Sequence, residues 1–296
     1  MAIDKIRAEA RSRYGERIRE YKQALDQIAS RGKDLERTLH NAPKATAAQA
    51  AAGLDPEILR EANLKRFTLA GEYLDQLSYF NLMSALSLSL LGVKNEGFLN
   101  EARKCCYKSI IFMEEVVSPY TDAPFSDYEP GVESLREVPD SAKFGFLKKL
   151  GFSIDSVVEG FGTNSKWKWS FVELEGRYAV VAKNLLNLKT FLAQFDPRVE
   201  GYSDRLGHVN LAKRLLQQSA DRYREKYELS TLRIDDIKQS ILFLSALRRL
   251  HVLLAEANEA EVIKKKIDIW KAKMEDDQRK QEAAQKMARL KRPSDA

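Results

Sequence analysis

The chain is predicted to be all-α: a helical bundle or short α-solenoid-like core with long coiled-coil-like terminal helices. Three observations carry that prediction. No glycine or proline occurs between Gly207 and Pro293. Apolar residues recur at three- and four-residue steps, the period of one helix face. Charged residues make up 31% of the 296, above the usual quarter, which suits long helices with one wet face. As one helix, the unpunctuated run would reach on the order of 125 Å. It must therefore fold back on itself or project as an arm.

Residues 3–40 read as a long amphipathic helix. Ile18, Tyr21, Leu25, Ile28, Leu35 and Leu39 fall on alternating steps of three and four, with Gly32 in the one missing position. That is a coiled-coil seam of about three heptads. The seam is narrow, so the helix packs against one or two others as an N-terminal coiled-coil arm, residues 1–41. An Ala-rich linker, 42–54, follows. Asp55-Pro56-Glu57 is a helix start, with Asp as cap and Pro in the first turn. That helix should run to about Leu91 and stop at Gly92. Gly97 opens the next, from Phe98 to about Val117, ended by Pro119.

Residues 119–140 read as an acidic, Pro-rich loop. It is either a crossover draped over the bundle or an acidic-aromatic docking surface. Ser141–Glu159 is a helix with Phe144, Leu147, Leu150, Ile154, Val157 and Val158 inward. Another runs from Ser165 to Phe195. The long run then breaks best near Leu229-Ser230-Thr231, giving helices of about 203–229 and 232–290. In the last of these a broad stripe, Ile234 to Leu254, thins beyond Ala255 to Val262, Ile263, Ile267, Trp270 and Met274. The bundle core is accordingly placed at 55–255 and a charged C-terminal helix and tail at 256–296.

Few motifs offer chemistry. Gly160-Phe161-Gly162 lacks the third glycine, the preceding strand and the Gly-Lys-Ser/Thr of phosphate loops, so it reads as a helix end. His40, His208 and His251 form no metal-helix pair. Asp204 and His208, four apart, read as a local pair. Cys105 and Cys106 are sequence neighbours, unsuited to a structural disulfide, and read as buried helix residues of a reducing compartment. A cytoplasmic location is expected. No metal, cofactor or catalytic residue is assigned. Trp167 and Trp169 in Lys166-Trp167-Lys168-Trp169 point about 200° apart on a helix, so they make no single stacking platform for bases. No apolar stretch is long enough for a membrane span.

Leu77–Phe112 resembles a tetratricopeptide-type helical hairpin. Leu82, Ala85 and Leu90 lie on its first helix, Gly97-Phe98-Leu99 at the turn, and Ala102 and Ile110 follow. The resemblance implies two antiparallel helices packed through small residues. The strings NEGFLNEARKCCYKSIIFMEEVVSPY and NSKWKWSFVELEGRYAVVAKNLL are similar to helical proteins of spirochaetes, a resemblance that brings no activity with it.

The function expected is a non-enzymatic scaffold or adaptor. It would engage a protein partner, or a second copy, through Ile18, Tyr21, Leu25, Ile28, Leu35 and Leu39 and through Val262, Ile263, Ile267, Trp270 and Met274. One alternative is a nucleic-acid-associated protein using the basic C-terminal helix. The formal charge of +6 is too diluted by interspersed acids to favour it. The other alternative is an enzyme with a bundle-core pocket, which a buried cluster of His, Glu and Lys, for example around His208 or His251, would favour.

Overall fold

The computed structural model describes residues 2–43, 55–162 and 165–290. Most of the expected linker, Thr163 and Asn164 of the glycine-containing turn, and the tail from Lys291 lie outside them. Ten α-helices and one π-helical turn, and no strand, occur among the described residues. The all-α expectation holds. The chain divides into two compact units, Met1–Leu211 and Ala212–Ala296.

In the first unit, α1 (Ala2–Leu39) and α2 (Pro56–Leu91) form an antiparallel pair. Tyr14 meets Ser87, Tyr21 packs edge-on to Tyr79, and Arg31 pairs with Glu72. Gly32 faces Leu69 and Gln76, where an added Cβ would lie only 3.4 Å from the Gln76 amide. The seam read from sequence is thus real, and α2 of the same chain covers it. Ile18, Ile28 and Leu39 are buried and Tyr21, Leu25 and Leu35 half-buried. The helix expected to pack against one or two others packs against α2 of the same chain, where burying each large apolar side chain contributes about 1.5–3 kcal/mol.

Helix α2 begins as its sequence dictates. The Asp55 carboxylate accepts the Glu57 N–H at 2.9 Å, Pro56 follows, and Gly92 ends the helix at φ 66°. Helix α3 (Glu96–Val117) is capped by Asn95 and returns antiparallel to α2. Ser109 donates to the Ala70 carbonyl and Tyr73 stacks on Phe112. The two antiparallel helices are present, but the inward face of α2 there is Met83, Ser84 and Ser87, while Leu82 and Ala85 of the tetratricopeptide resemblance are exposed.

The loop expected at 119–140 contains a helix, α4 (Phe125–Ser134). Burial of Tyr128, Val132 and Leu135 against the bundle holds it. Pro124 precedes its first turn, and Pro130 forfeits one backbone bond. Helix α5 (Asp140–Phe161) follows. The single helix expected over Ser165–Phe195 is two, α6 (Lys168–Asn184) and α7 (Leu188–Ala193). Asn184 causes the break. It is fully buried, its amide donating to the carbonyls of Ser118 and Tyr120, and Asn187 then caps α7 by accepting from Thr190 N–H.

Helix α8 (Tyr202–Lys226) runs into the second unit. A π turn (Tyr227–Thr231), α9 (Ile234–Leu253) and α10 (Ala257–Leu290) complete it. The break near Ser230 occurs as expected, and a second occurs at Leu254–Glu256. Neither uses glycine. Leu232 at φ 49° and Ala255 at φ 58° supply the left-handed residues. The Ala255 N–H bonds to Val252 and the Glu256 N–H to His251, a Schellman closure with alanine where glycine is usual.

From Ala212 onward the three helices form an up-down-up bundle. Tyr223 stacks on Phe243 across α8 and α9. Helix α10 runs parallel to α8: Lys266 pairs with Asp221, and Arg224 lies over Trp270 at 5.0 Å. The bundle core expected to end at Ala255 therefore divides within α8, because α9 finds its apolar partners in α8 and α10.

Candidate interface and a buried polar cavity

The inward stripe of α10 is Ala260, Ile263, Ile267, Trp270, Met274, Asp277 and Gln281, a seven-position run of alternating steps of three and four. Its first four members are buried. Its last two reach the π-turn region: Tyr227 donates its hydroxyl to Asp277 at 2.7 Å, and Gln281 donates to the Leu232 carbonyl at 2.8 Å. The tyrosine bond and neighbouring Lys273 hold the Asp277 carboxyl below its ordinary range, while burial and the Asp277 charge push the Tyr227 phenol up to about 12. The stripe that fades in the sequence continues in space through polar groups.

Ile263, Ile267, Trp270 and Met274, expected to bind a partner, are therefore spent inside the chain. Val262 differs, at 65% exposed, and Ile269, two turns along the same face, is 67% exposed. Val262 also borders a groove of about 420 Å3. Buried Leu247 and Ile263 line its interior, and Arg214, Asn258 and Glu259 stand exposed along its edge. At one end Glu256 holds the turn. Its carboxylate accepts from Lys213 at 2.5 Å and bonds His251 Nδ1 at 2.6 Å, and these bonds keep its pKa low against the opposing effect of burial. Sequence reading missed Ile269. The signal was its seven-residue spacing from Val262, outside the 263–267–270 stripe.

The first unit holds a different feature. Lys143, Asp140, Leu185, Leu186, Asn187, Thr190, Phe191, Asp204, Arg205 and His208 surround a cavity of about 20 Å3, room for roughly one water-sized group. Arg205 donates to Asp140 at 2.8 Å and to the Gln194 carbonyl. His208 Nε2 lies 2.8 Å from the Ala182 carbonyl, so that nitrogen carries the proton and Nδ1 keeps its lone pair. Burial holds the imidazole down to about 4. The expected Asp204–His208 pair is not formed; both line the cavity, and His208 is committed to Ala182. Gly207 has a reason here, since a Cβ would lie 2.7 Å from the Phe144 ring, which stacks on His208.

Cys105 and Cys106 are buried free thiols, and burial pushes Cys105 up to about 12 and Cys106 further. They are inert packing residues. Trp167 precedes α6 and Trp169 lies in its first turn: Arg103 lies 3.9 Å over Trp167, and Lys168 covers Trp169. Among the described residues no helix is long and apolar enough to cross a membrane.

The sequence profile of one family matches residues 10–278. The chain belongs to the TP0443 family. No curated protein matches this family member in sequence. A solved chain from work on the computational design of self-assembling cyclic protein homooligomers aligns with 90% of it and 99% of the designed chain. That alignment has 12% identity and a TM-score of 0.27, a similarity too low to bear on fold or assembly.

Proposed function

We propose that this TP0443 family member is a non-enzymatic helical scaffold that pairs with a second copy of itself along the outer face of α10. The exposed pair Val262 and Ile269 carries the reading. Glu259 and Glu261 precede the pair and Lys271 and Lys273 follow it. Two copies laid antiparallel therefore set Val262 against Ile269 of the second copy and Glu259 towards its Lys273, while Lys265 and Lys266 of the two copies meet at the centre and weaken the contact. Ile269 of the second copy would sit beside the groove that Val262 borders. A stripe of two residues makes a small interface, so weak, concentration-dependent association is expected.

Sedimentation velocity across a concentration series tests this. Wild-type protein should shift towards dimer as concentration rises. Val262→Glu with Ile269→Glu should remain monomeric with an unchanged helical spectrum, because both residues are exposed. Wild-type protein that stays monomeric throughout the series removes the self-pairing reading.

A further inference from the structure

Among the described residues two buried side-chain N–H groups have no acceptor, Arg103 Nε and Trp167 Nε1. They belong to one contact: the Arg103 guanidinium carbon lies 3.9 Å from the centre of the Trp167 ring. Buried donors are nearly always satisfied, so an orphan pair marks a place where an ion or a water belongs. Packing brings the two together. Leu99 of α3 lies against Gly160 near the end of α5, where an added Cβ would come within 2.6 Å of it. Arg103 is one turn further along α3. Trp167 stands immediately before α6, its ring edge-on to Phe161. Two more cations converge there. Lys166 lies 5.4 Å from the Trp167 ring, and Lys94 lies 5.9 Å from the Phe161 ring and donates to the Phe161 carbonyl at 2.8 Å. No ion pair joins Lys94, Arg103 or Lys166 to an acid among the described residues. Glu101 is taken by Lys104, and Glu96 and Glu159, also close in the chain, are exposed to water.

Water brings donors as well as acceptors. An oxyanion brings acceptors alone, with the negative charge that three cations here lack. We propose that Arg103 and the Trp167 indole N–H, with Lys94 and Lys166 beside them, bind a tetrahedral oxyanion group of two negative charges, a phosphate or sulfate. The Trp167 ring holds the half-buried Arg103 fork in place before the ion arrives, and a planar guanidinium matches two oxygens of such a group at once. Lys94 and Lys166 are exposed and add charge at the solvent edge. Arg103 occupies one face of Trp167, so no base stacks there and the occupant is compact. The four residues lie wholly in the first unit, and the site stands independently of pairing through α10.

The indole resonances of the intact protein test the site. The chain has three tryptophans, so protein labelled with heavy nitrogen in its indole groups gives three signals, and Trp167→Phe identifies the one concerned. Inorganic phosphate and sulfate are titrated in turn at pH 7.5, with ionic strength held constant by sodium chloride. The Trp167 signal should move and saturate with a Kd of about 1 mM or tighter, while that of Trp270 stays in place. A third titration, with glycerol phosphate, separates the sources. Saturation in the same range assigns the site to a phosphate group on a carrier molecule, and saturation by the inorganic ions alone assigns it to the free ion. Arg103→Gln should weaken binding about tenfold or more with an unchanged helical spectrum, and Lys166→Gln, at an exposed position, by a smaller factor. A Trp167 signal that stays put up to roughly 20 mM phosphate and sulfate overturns the site. So does an equal shift on adding sodium chloride alone, or an Arg103→Gln protein that binds as tightly as wild type.

Discussion

In the first unit, Arg66 and Lys143 occupy inward positions of apolar stripes; in the second, the α10 stripe stays apolar until Met274 and only then turns to Asp277 and Gln281. Arg66 is fully buried. It donates to Glu115 at 3.1 Å, to Asn63 at 2.8 Å and to the Ala42 carbonyl at 3.3 Å. Asn63 in turn donates to Ser134, tying α2 to α4. The first unit thus joins its helices through desolvated charge in the middle of stripes. The second places polar seam groups towards one end, against the π-turn region. A charge deep in a stripe must be fully partnered or neutral. A polar group near a bundle end shares its bonds with water and costs less.

Substitution at the two anchors should separate these designs most strongly. Arg66→Ala removes a fully buried guanidinium together with its bonds to Glu115, Asn63 and the Ala42 carbonyl, and should cost the first unit about 3–5 kcal/mol. Trp270→Ala opens a cavity in the second and should cost a similar amount, about 3–5 kcal/mol. Urea unfolding followed by limited proteolysis should place the first loss in 1–211 and the second in 212–296. Equal loosening of both units by either variant would break the comparison.

Acid should sharpen it next. The folded pKa of His208 is about 4, against about 6.5 unfolded. Between those values the unfolded chain binds the extra proton, so the first unit should lose stability as pH falls from about 6.5 towards 4. In the second unit Glu256 and Asp277 are lowered from 4.5 and 3.8. Their contribution is present above those values and is lost only as pH falls through the lower folded ones. Trp270 is the only tryptophan of the second unit. With Trp167 and Trp169 replaced by Phe, its fluorescence should hold through pH 5 while sites in the first unit become open to proteolysis. His208→Gln should flatten the response of the first unit between pH 6.5 and 4.

The smallest effect concerns the turn. Ala255→Gly relieves a left-handed alanine and should raise the stability of the second unit by about 1 kcal/mol. Chemical denaturation read at Trp270 would measure it. A loss of stability instead would mean that the Glu256 ion pairs with Lys213 and His251, not the backbone, decide the turn.

Much of the fold was legible. The seam of α1, the Asp55-Pro56 start, the Gly92 stop and the break near Ser230 each rest on local chemistry that a sequence displays. The missed features share a cause. Leu232 and Ala255 turn the chain without a residue type that marks turning. The Asn184 break depends on carbonyls more than sixty residues away in the chain. Lys143 could have been noticed as a charge in register with Leu147, Leu150 and Ile154, but the cavity it lines could not.

By itself the sequence determined the helices and their inward faces, because helix period and capping are local properties. Only tertiary structure decided which face meets which. Two heptad seams that could have served a partner are covered within the chain, since a covalently attached apolar surface is always at hand. What stays exposed includes Val262 and Ile269 on α10, and what is buried whole includes the charge of Arg66 on α2. Both follow from which neighbours the folded chain brings near, and no local pattern encodes that.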